Sequence, residues 1–308
     1  MAAVAGTVLS VFGLLYARFL RYDHVALRHV PDAAVVAVRI DVTQAVFYDP
    51  VRRYALPLLG GLHASDAERE RRLSAFERRS GLHRSDLREI VFARGLDPDD
   101  WILVFNGFFP SDPESRTLVR ALSVEPGFRA DADGHMAVFE PSGISAARTG
   151  DDTVLLASRK AWLVAAETPT DRAGALGMDP NGIGGFGMGP EELRRLATTP
   201  AVLASGDLPA LFQKLTRVRG TFTIGEQVSL HVTFEAPDPD VARRAAAGTR
   251  GLLKAFSQQD RFAGAPLLHD GLERGRLDSR PDDVGLSLVW ERIELDRGLS
   301  HLVEGSIP

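Results

Sequence analysis

The sixteen residues from Ala2 to Ala17, AAVAGTVLSVFGLLYA, hold neither a charge nor a proline and are followed at once by Arg18 and Arg21. As a helix they rise about 24 Å, and Phe19, Leu20 and the stem of Arg18 extend the span to roughly 28 Å, close to the ~30 Å hydrocarbon layer. The stretch reads as a single transmembrane anchor over residues 1–21, ahead of a juxtamembrane connector at 22–33. A cleaved signal peptide and a buried soluble helix are the competing readings. Against cleavage, no small-x-small site follows the run and no basic residue precedes it. Ala2, Gly6, Ser10, Gly13 and Ala17 fall on one helical stripe, with Val4, Val8, Val11 and Leu15 opposite. Such a stripe lets a second helix approach closely in lipid, which allows a helix partner or a homodimer through this face; the plainer reading is that alanine and glycine are simply common here. Arg18, Arg21 and Arg28 lie on the C-terminal side, which by the positive-inside rule places the rest of the chain at the cytoplasmic face.

The remainder has the composition of a folded protein, 44% hydrophobic and 25% charged over 308 residues in all. A net charge of −5 gives no electrostatic case for nucleic acid. Lysine occurs only at Lys160, Lys214 and Lys254, so arginine carries nearly all positive charge. The absence of cysteine removes disulfides, thiol nucleophiles, iron–sulfur clusters and cysteine zinc sites together.

Along the chain, Ala34–Asp41 reads as a buried strand. Asp49-Pro50 opens a short helix, and Ser65 with Glu68 caps a second one running to Ser80, stopped by Gly81. Glu89–Arg94 and Trp101–Phe109 are strands, the second apolar enough for the middle of a sheet. Asp112-Pro113 starts a helix to Ser123 with Leu118, Ala121 and Leu122 inward. Strands at His135–Glu140, Ile144–Arg148 and Thr153–Ala157 follow, and then a helix from Arg159 to Glu167. Residues 168–190 read as loop before a helix Pro190–Ala197, so that 168–200 is a Gly/Pro-rich linker.

The pattern then begins again. Val202–Asp207 reads as a strand and Leu208–Leu215 as a helix. Val218–Ile224 and Gln227–Glu235 form a hairpin across a Gly225-Glu226 type II′ turn. Val228, Leu230, Val232 and Phe234 face one way, with Ser229, His231 and Thr233 facing the other. Asp238-Pro239 opens a long helix to Phe256, followed by strands Leu272–Asp278 and Val284–Trp290 and a helix Arg292–Leu302. The expected fold class is therefore α+β: an N-terminal transmembrane helix, then two similar halves, 34–167 and 201–308, each a mainly antiparallel sheet with helices packed on it. A two-layer sheet with a single core is the alternative.

The segments VPDAAVVAVRID, GLHRSDLREIVFARG leading into WILVFNGFF, and DDTVLLASRKAW resemble a group of uncharacterised bacterial membrane-anchored or exported proteins with two related α+β halves. The resemblance lies in hydrophobic patterning and transfers no site residues. It implies an envelope location at the inner membrane, with the domain on the periplasmic rather than the cytoplasmic side.

No motif brings chemistry with it. Gly182, Gly184 and Gly187 match G-x-G-x-x-G, but no strand is expected before them, and a flexible linker accounts for the run. Asp131-x-Asp133-Gly134 has its glycine at the wrong place for a calcium loop and reads as a turn. Asp97, Asp99 and Asp100, and the pair Asp282-Asp283, fall in turns. His24 and His29 read as solvated residues of the connector, His231 as an exposed strand residue, and no histidine pair has metal-ligand spacing. No catalytic, cofactor-binding or metal-ligating residue is assigned. The expectation is a membrane-tethered, non-enzymatic binding or scaffolding protein. The alternatives are a hydrolase with its site between the two halves and an accessory subunit of a membrane complex.

Overall fold

The computed structural model describes residues 25–48, 66–112, 116–150, 152–180, 182–259, 264–280 and 283–304. Among these described residues twelve strands pair in one antiparallel sheet. They are β1 (Val36–Asp41), β2 (Leu87–Arg94), β3 (Trp101–Gly107), β4 (Phe128–Ala130), β5 (Met136–Phe139), β6 (Ile144–Thr149), β7 (Thr153–Ala157), β8 (Gly184–Met188), β9 (Arg217–Ile224), β10 (Val228–Glu235), β11 (Leu277–Arg280) and β12 (Asp283–Trp290). Their order across the sheet is β11-β12-β10-β9-β8-β1-β2-β3-β7-β6-β5-β4. Reading outward from the β1–β8 pair, β8-β9-β10-β12-β11 repeats the connectivity of β1-β2-β3-β7-β6.

This corrects the expected architecture in two respects. The two sheets are one, because β1 and β8 are the inner edge strands of the two units and pair directly, Val38 opposite Phe186. Nor is a transmembrane helix part of the observed fold: among the described residues no helix is long and apolar enough to cross a membrane. The nineteen-residue helix Pro239–Ser257 buries only a stripe of Val241, Ala242, Ala245 and Ala246. It also carries Asp240, Arg243, Arg244, Arg250 and Lys254, a charge load that lipid does not tolerate. Among the described residues the fold is α+β, and none of their helices supplies the expected single span as a membrane partner. The run Ala2–Ala17, with Ala2, Gly6, Ser10, Gly13 and Ala17, lies outside the described residues, as does the helix expected after Asp49-Pro50.

The helices are α1 (Val42–Phe47), α2 (Asp66–Ser80), α3 (Arg116–Ser123), α4 (Lys160–Glu167), α5 (Arg172–Ala175), α6 (Pro190–Leu196), α7 (Pro200–Leu203), α8 (Leu208–Phe212), α9 (Pro239–Ser257), α10 (Ala265–Arg274) and α11 (Arg292–Glu304). Residues opposite one another in an antiparallel ladder share a face, so the registers sort the core. On one face of the first unit Ala37, Val91, Ala93, Ile102, Val104, Leu155 and Ala157 are buried under Trp162, Leu163 and Ala166 of α4 and the segment around Leu176. In the second unit the opposite face is the apolar one: Val218, Phe234, Val284 and Leu286 lie under Leu208, Leu211 and Phe212 of α8 and Val241 and Ala245 of α9. Arg94 of β2 meets Glu192 of α6 at 2.7 Å, tying the first unit to the second.

Four local expectations also change. The glycine run read as linker is the central strand β8, hydrogen-bonded to β1 on one side and β9 on the other. Its glycines fit the crowding: Phe186 lies across Gly220 of β9, where a Cβ would stand 2.2 Å from the ring. Val202–Asp207 is not a strand, because Pro200 starts the helical turn α7 and Gly206, at φ +61°, reverses the chain. Leu272 closes α10 rather than opening a strand, and β11 is confined to Leu277–Arg280. The β9–β10 hairpin pairs Ile224 with Val228 around three residues instead of two, and Gly225 is not among the positive-φ glycines that a type II′ turn requires.

The Glu192 clamp has a pH signature. Burial alone would push its carboxyl up, but hydrogen bonds from Arg195 (2.8 and 2.6 Å) and the Arg94 guanidinium outweigh it and hold the group below the usual carboxylate range. A depressed native pKa contributes stability above the unfolded value of about 4.3, and that stability is lost as pH falls through the native value. Urea midpoints taken from pH 6 to pH 3 should therefore fall, and the slope should flatten in Glu192→Gln. An equally steep slope in that variant would dissociate the clamp from acid sensitivity.

Candidate functional site

On the first unit the face opposite the α4 core is covered by α2 and α3, and the cover is incomplete. Leu73 and Phe76, one turn apart on α2, and Leu118 and Leu122, one turn apart on α3, point at the sheet. Phe105, Val154, Leu156 and Ala146 of β3, β7 and β6 form the floor, with Leu82, Leu87 and Phe109 closing the sides. Between them lies a cavity of about 360 Å³, within the size range of small-molecule sites. Only His83 and Arg84 among its lining residues are polar, and both are exposed at the mouth.

The two covering helices are held from outside the cavity. Gly81, at φ +70°, ends α2, and its amide reaches the carbonyl of Glu77 at 2.9 Å. Arg84 folds back on α2, donating to Glu70 at 3.0 Å and lying 3.2 Å from Glu77. The Arg84 hydrogen bond holds the Glu70 carboxyl below its ordinary range. Arg79 pairs with Glu125 and so links α2 to the far end of α3. At the near end Asp112 accepts from the amides of Thr117 (2.9 Å) and Leu118 (3.1 Å). Burial would raise its pKa, but these amides and Arg148, 3.8 Å away, leave it lowered. The mouth carries Arg84 against Glu70 and Glu77, so its one fixed cation is already neutralised.

The second unit shows that the fold does not impose this void. β10 and β12 take the places of β3 and β7, yet Phe234, Val284 and Leu286 are at most 3% exposed there, filled over by α8 and α9. Phe105 and Leu156 of the first unit stay half-buried.

A second cluster bears on the hydrolase alternative. Asp41, Glu89, Asn106 and Thr153 stand opposite one another across β1, β2, β3 and β7 on the α4 side. Arg39 donates to Glu89 through Nε, to the Gly182 carbonyl at 2.7 Å, and approaches Asp41 at 3.8 Å. Asp41 also caps α1, accepting from the Gln44 amide at 3.1 Å, and Asn106 donates to Thr153 at 2.8 Å and to the Asp152 carbonyl at 3.0 Å. Arg39, Glu89, Asn106 and Thr153 have no exposed surface, so the row knits the sheet rather than meeting a substrate. On the open face of the second unit Ser287 lies between His231 (3.1 Å) and Asp278 (3.4 Å). A relay that activates serine needs histidine in the middle; here the order is reversed.

The sequence-weighed residues are otherwise dispersed. His29 is buried, 2.7 Å from the Ala166 carbonyl, rather than solvated. Asp131 accepts from the amides of His135 (3.0 Å) and Met136 (3.2 Å), and Asp97 from that of Asp99 (3.0 Å), as turn residues do. Among the described residues no group of three or more histidines and acids is placed to hold a metal ion. The cavity itself left little trace in the sequence beyond the inward-facing Leu118 and Leu122, since apolar helix faces look alike whether or not they fill the space beneath them.

No family model and no curated protein matches the chain. Among solved structures it is similar to TP0453 in crystal form I (TM-score 0.45, 8% identity, covering 91% of this chain and 98% of that one), crystal form III (0.46, 10%, 90% and 98%) and crystal form IV (0.43, 9%, 88% and 95%).

Proposed function

We propose that the chain is a binding module that takes a small, uncharged apolar ligand between α2, α3 and the sheet. The observation that carries this reading is the apolar cavity of about 360 Å³, left open where the second unit fills the corresponding space with side chains. Apolar walls left open to water forgo the stabilisation that burying them would give. A ligand offsets that loss, and the neutralised mouth favours an uncharged one. The non-enzymatic reading is supported by the sealed Arg39–Glu89 pair and the reversed order around Ser287. The envelope location implied by the sequence resemblance remains part of the proposal.

Titration with the uncharged dye N-phenyl-1-naphthylamine tests it. Saturable binding is expected, weakened about tenfold or more by Ala146→Phe, which projects a ring into the cavity, with the far-ultraviolet circular dichroism unchanged. Unsaturable binding, or equal affinity in the filled variant, would sink the reading.

A further inference from the structure

The second unit holds another opening, unrelated to the first. Ala247, Arg250, Gly251, Lys254 and Ser257 recur at helical spacing along one flank of α9, and His269, Leu272 and Glu273 do so on α10. Between these flanks lies a groove of about 500 Å³. Gly251 leaves it open: a Cβ there would meet nothing within 4 Å.

The charges around it are unbalanced. From Val241 to Gln259 the chain carries four cations and no acid, in a protein of net charge −5. Arg243 is answered by Asp240 and Arg244 by Asp207. Arg250 donates to the Gly275 carbonyl at 3.0 Å and has no ion pair among the described residues. Lys254 has no ion pair among the described residues, and with Arg250 it forms a like-charged i,i+4 pair that repels unless something anionic stands between. Glu273, across the groove, offsets one of these two charges. Among the described lining residues the cations Arg250 and Lys254 thus face a single acid, Glu273, a surplus of one positive charge beside the apolar Ala247 and Leu272, with His269 on the opposite wall.

We propose that the α9–α10 groove is a binding site for an organic monoanion with an apolar body, a carboxylate or sulfonate. Its charged group lies between Arg250 and Lys254, and its body lies along Gly251 and Leu272. The guanidinium supplies a planar pair of donors and the ammonium a second, more mobile charge. Nothing in this site depends on the cavity under α2 and α3.

The probe is 1-anilinonaphthalene-8-sulfonate, the sulfonated counterpart of the uncharged dye, titrated into the full chain. Saturable binding is expected, weakened about tenfold by the double variant Arg250→Met/Lys254→Met and several-fold by raising salt from 20 to 500 mM. It should be blocked by Gly251→Leu, which puts a side chain into the groove at a position where a Cβ meets nothing within 4 Å and improves the helix. Ala146→Phe should leave it intact, so failure of this site and failure of the apolar cavity are told apart. The proposal falls if the sulfonate binds the double variant and Gly251→Leu as well as the parent, or if Ala146→Phe alone removes binding.

Discussion

Glu89→Ala is expected to destabilise the protein by about 3–5 kcal/mol, because it strands the Arg39 guanidinium in the sheet interior. Both side chains are fully buried, and Arg39 also donates to the Gly182 carbonyl at 2.7 Å and lies 3.8 Å from Asp41, neither of which replaces the carboxylate at its Nε. The attraction within a buried pair roughly offsets its desolvation, so the pair contributes little net stability while losing one member is costly. The double variant Arg39→Met/Glu89→Leu should therefore recover most of the loss. Equilibrium unfolding in urea reads both, with an unchanged slope against denaturant showing that the native state stays compact. A single-variant loss under about 1 kcal/mol, or a double variant as unstable as Glu89→Ala, would mean that water reaches Arg39.

The same residues show what the sequence could disclose. VAVRID reads as a strand because β-branched residues recur and a polar residue ends it, and it is β1. Alternation alone does not tell which face is dry. On β1 it is the face bearing Ala37, Arg39 and Asp41 that is buried, while Ile40 on the other is 45% exposed. A strand that hides its charges and shows its isoleucine inverts the usual inference from polarity. In β10 polarity sorts the faces only in part: Val228, Leu230, Val232 and Phe234 pack in the core clusters and Ser229 and His231 lie partly exposed opposite, but Thr233 on that second face is 4% exposed, nearly as buried as Phe234.

Helix starts at Asp238 and ends at Gly81 were legible because caps act within a few residues. The errors fell where a long-range partner decided. Three of the five residues of Gly184–Met188 are glycines, which do not signal a strand, and only pairing with β1 and β9 makes it one. The α2–α3 cavity was invisible for a related reason: emptiness depends on how far two helices stand from a sheet, which no spacing of leucines encodes. The repeated strand–helix order did suggest two units, but not that β8 would join them into one sheet.

That joint yields the other large effect. Gly187 lies in β8, opposite Ala37 of β1 and Arg219 of β9, and a Cβ on it would stand 2.3 Å from the carbonyl oxygen of Leu176. The obstructing atom is backbone, so no rotamer change relieves the overlap. Either β8 shifts away from both neighbours or the Leu176 segment lifts off the α4 core. Gly187→Ala should accordingly cost about 3 kcal/mol, the upper end of what overpacking usually takes, although alanine is otherwise the mildest replacement for glycine. Gly225→Ala, whose Cβ meets nothing closer than 3.8 Å and whose φ is not positive, should stay within about 0.5 kcal/mol and controls for any general effect of losing a glycine. Urea unfolding of the two variants side by side decides the matter. Equal midpoints would place Gly187 on a loose connector, whereas a large gap confined to Gly187 requires a strand packed between the two units.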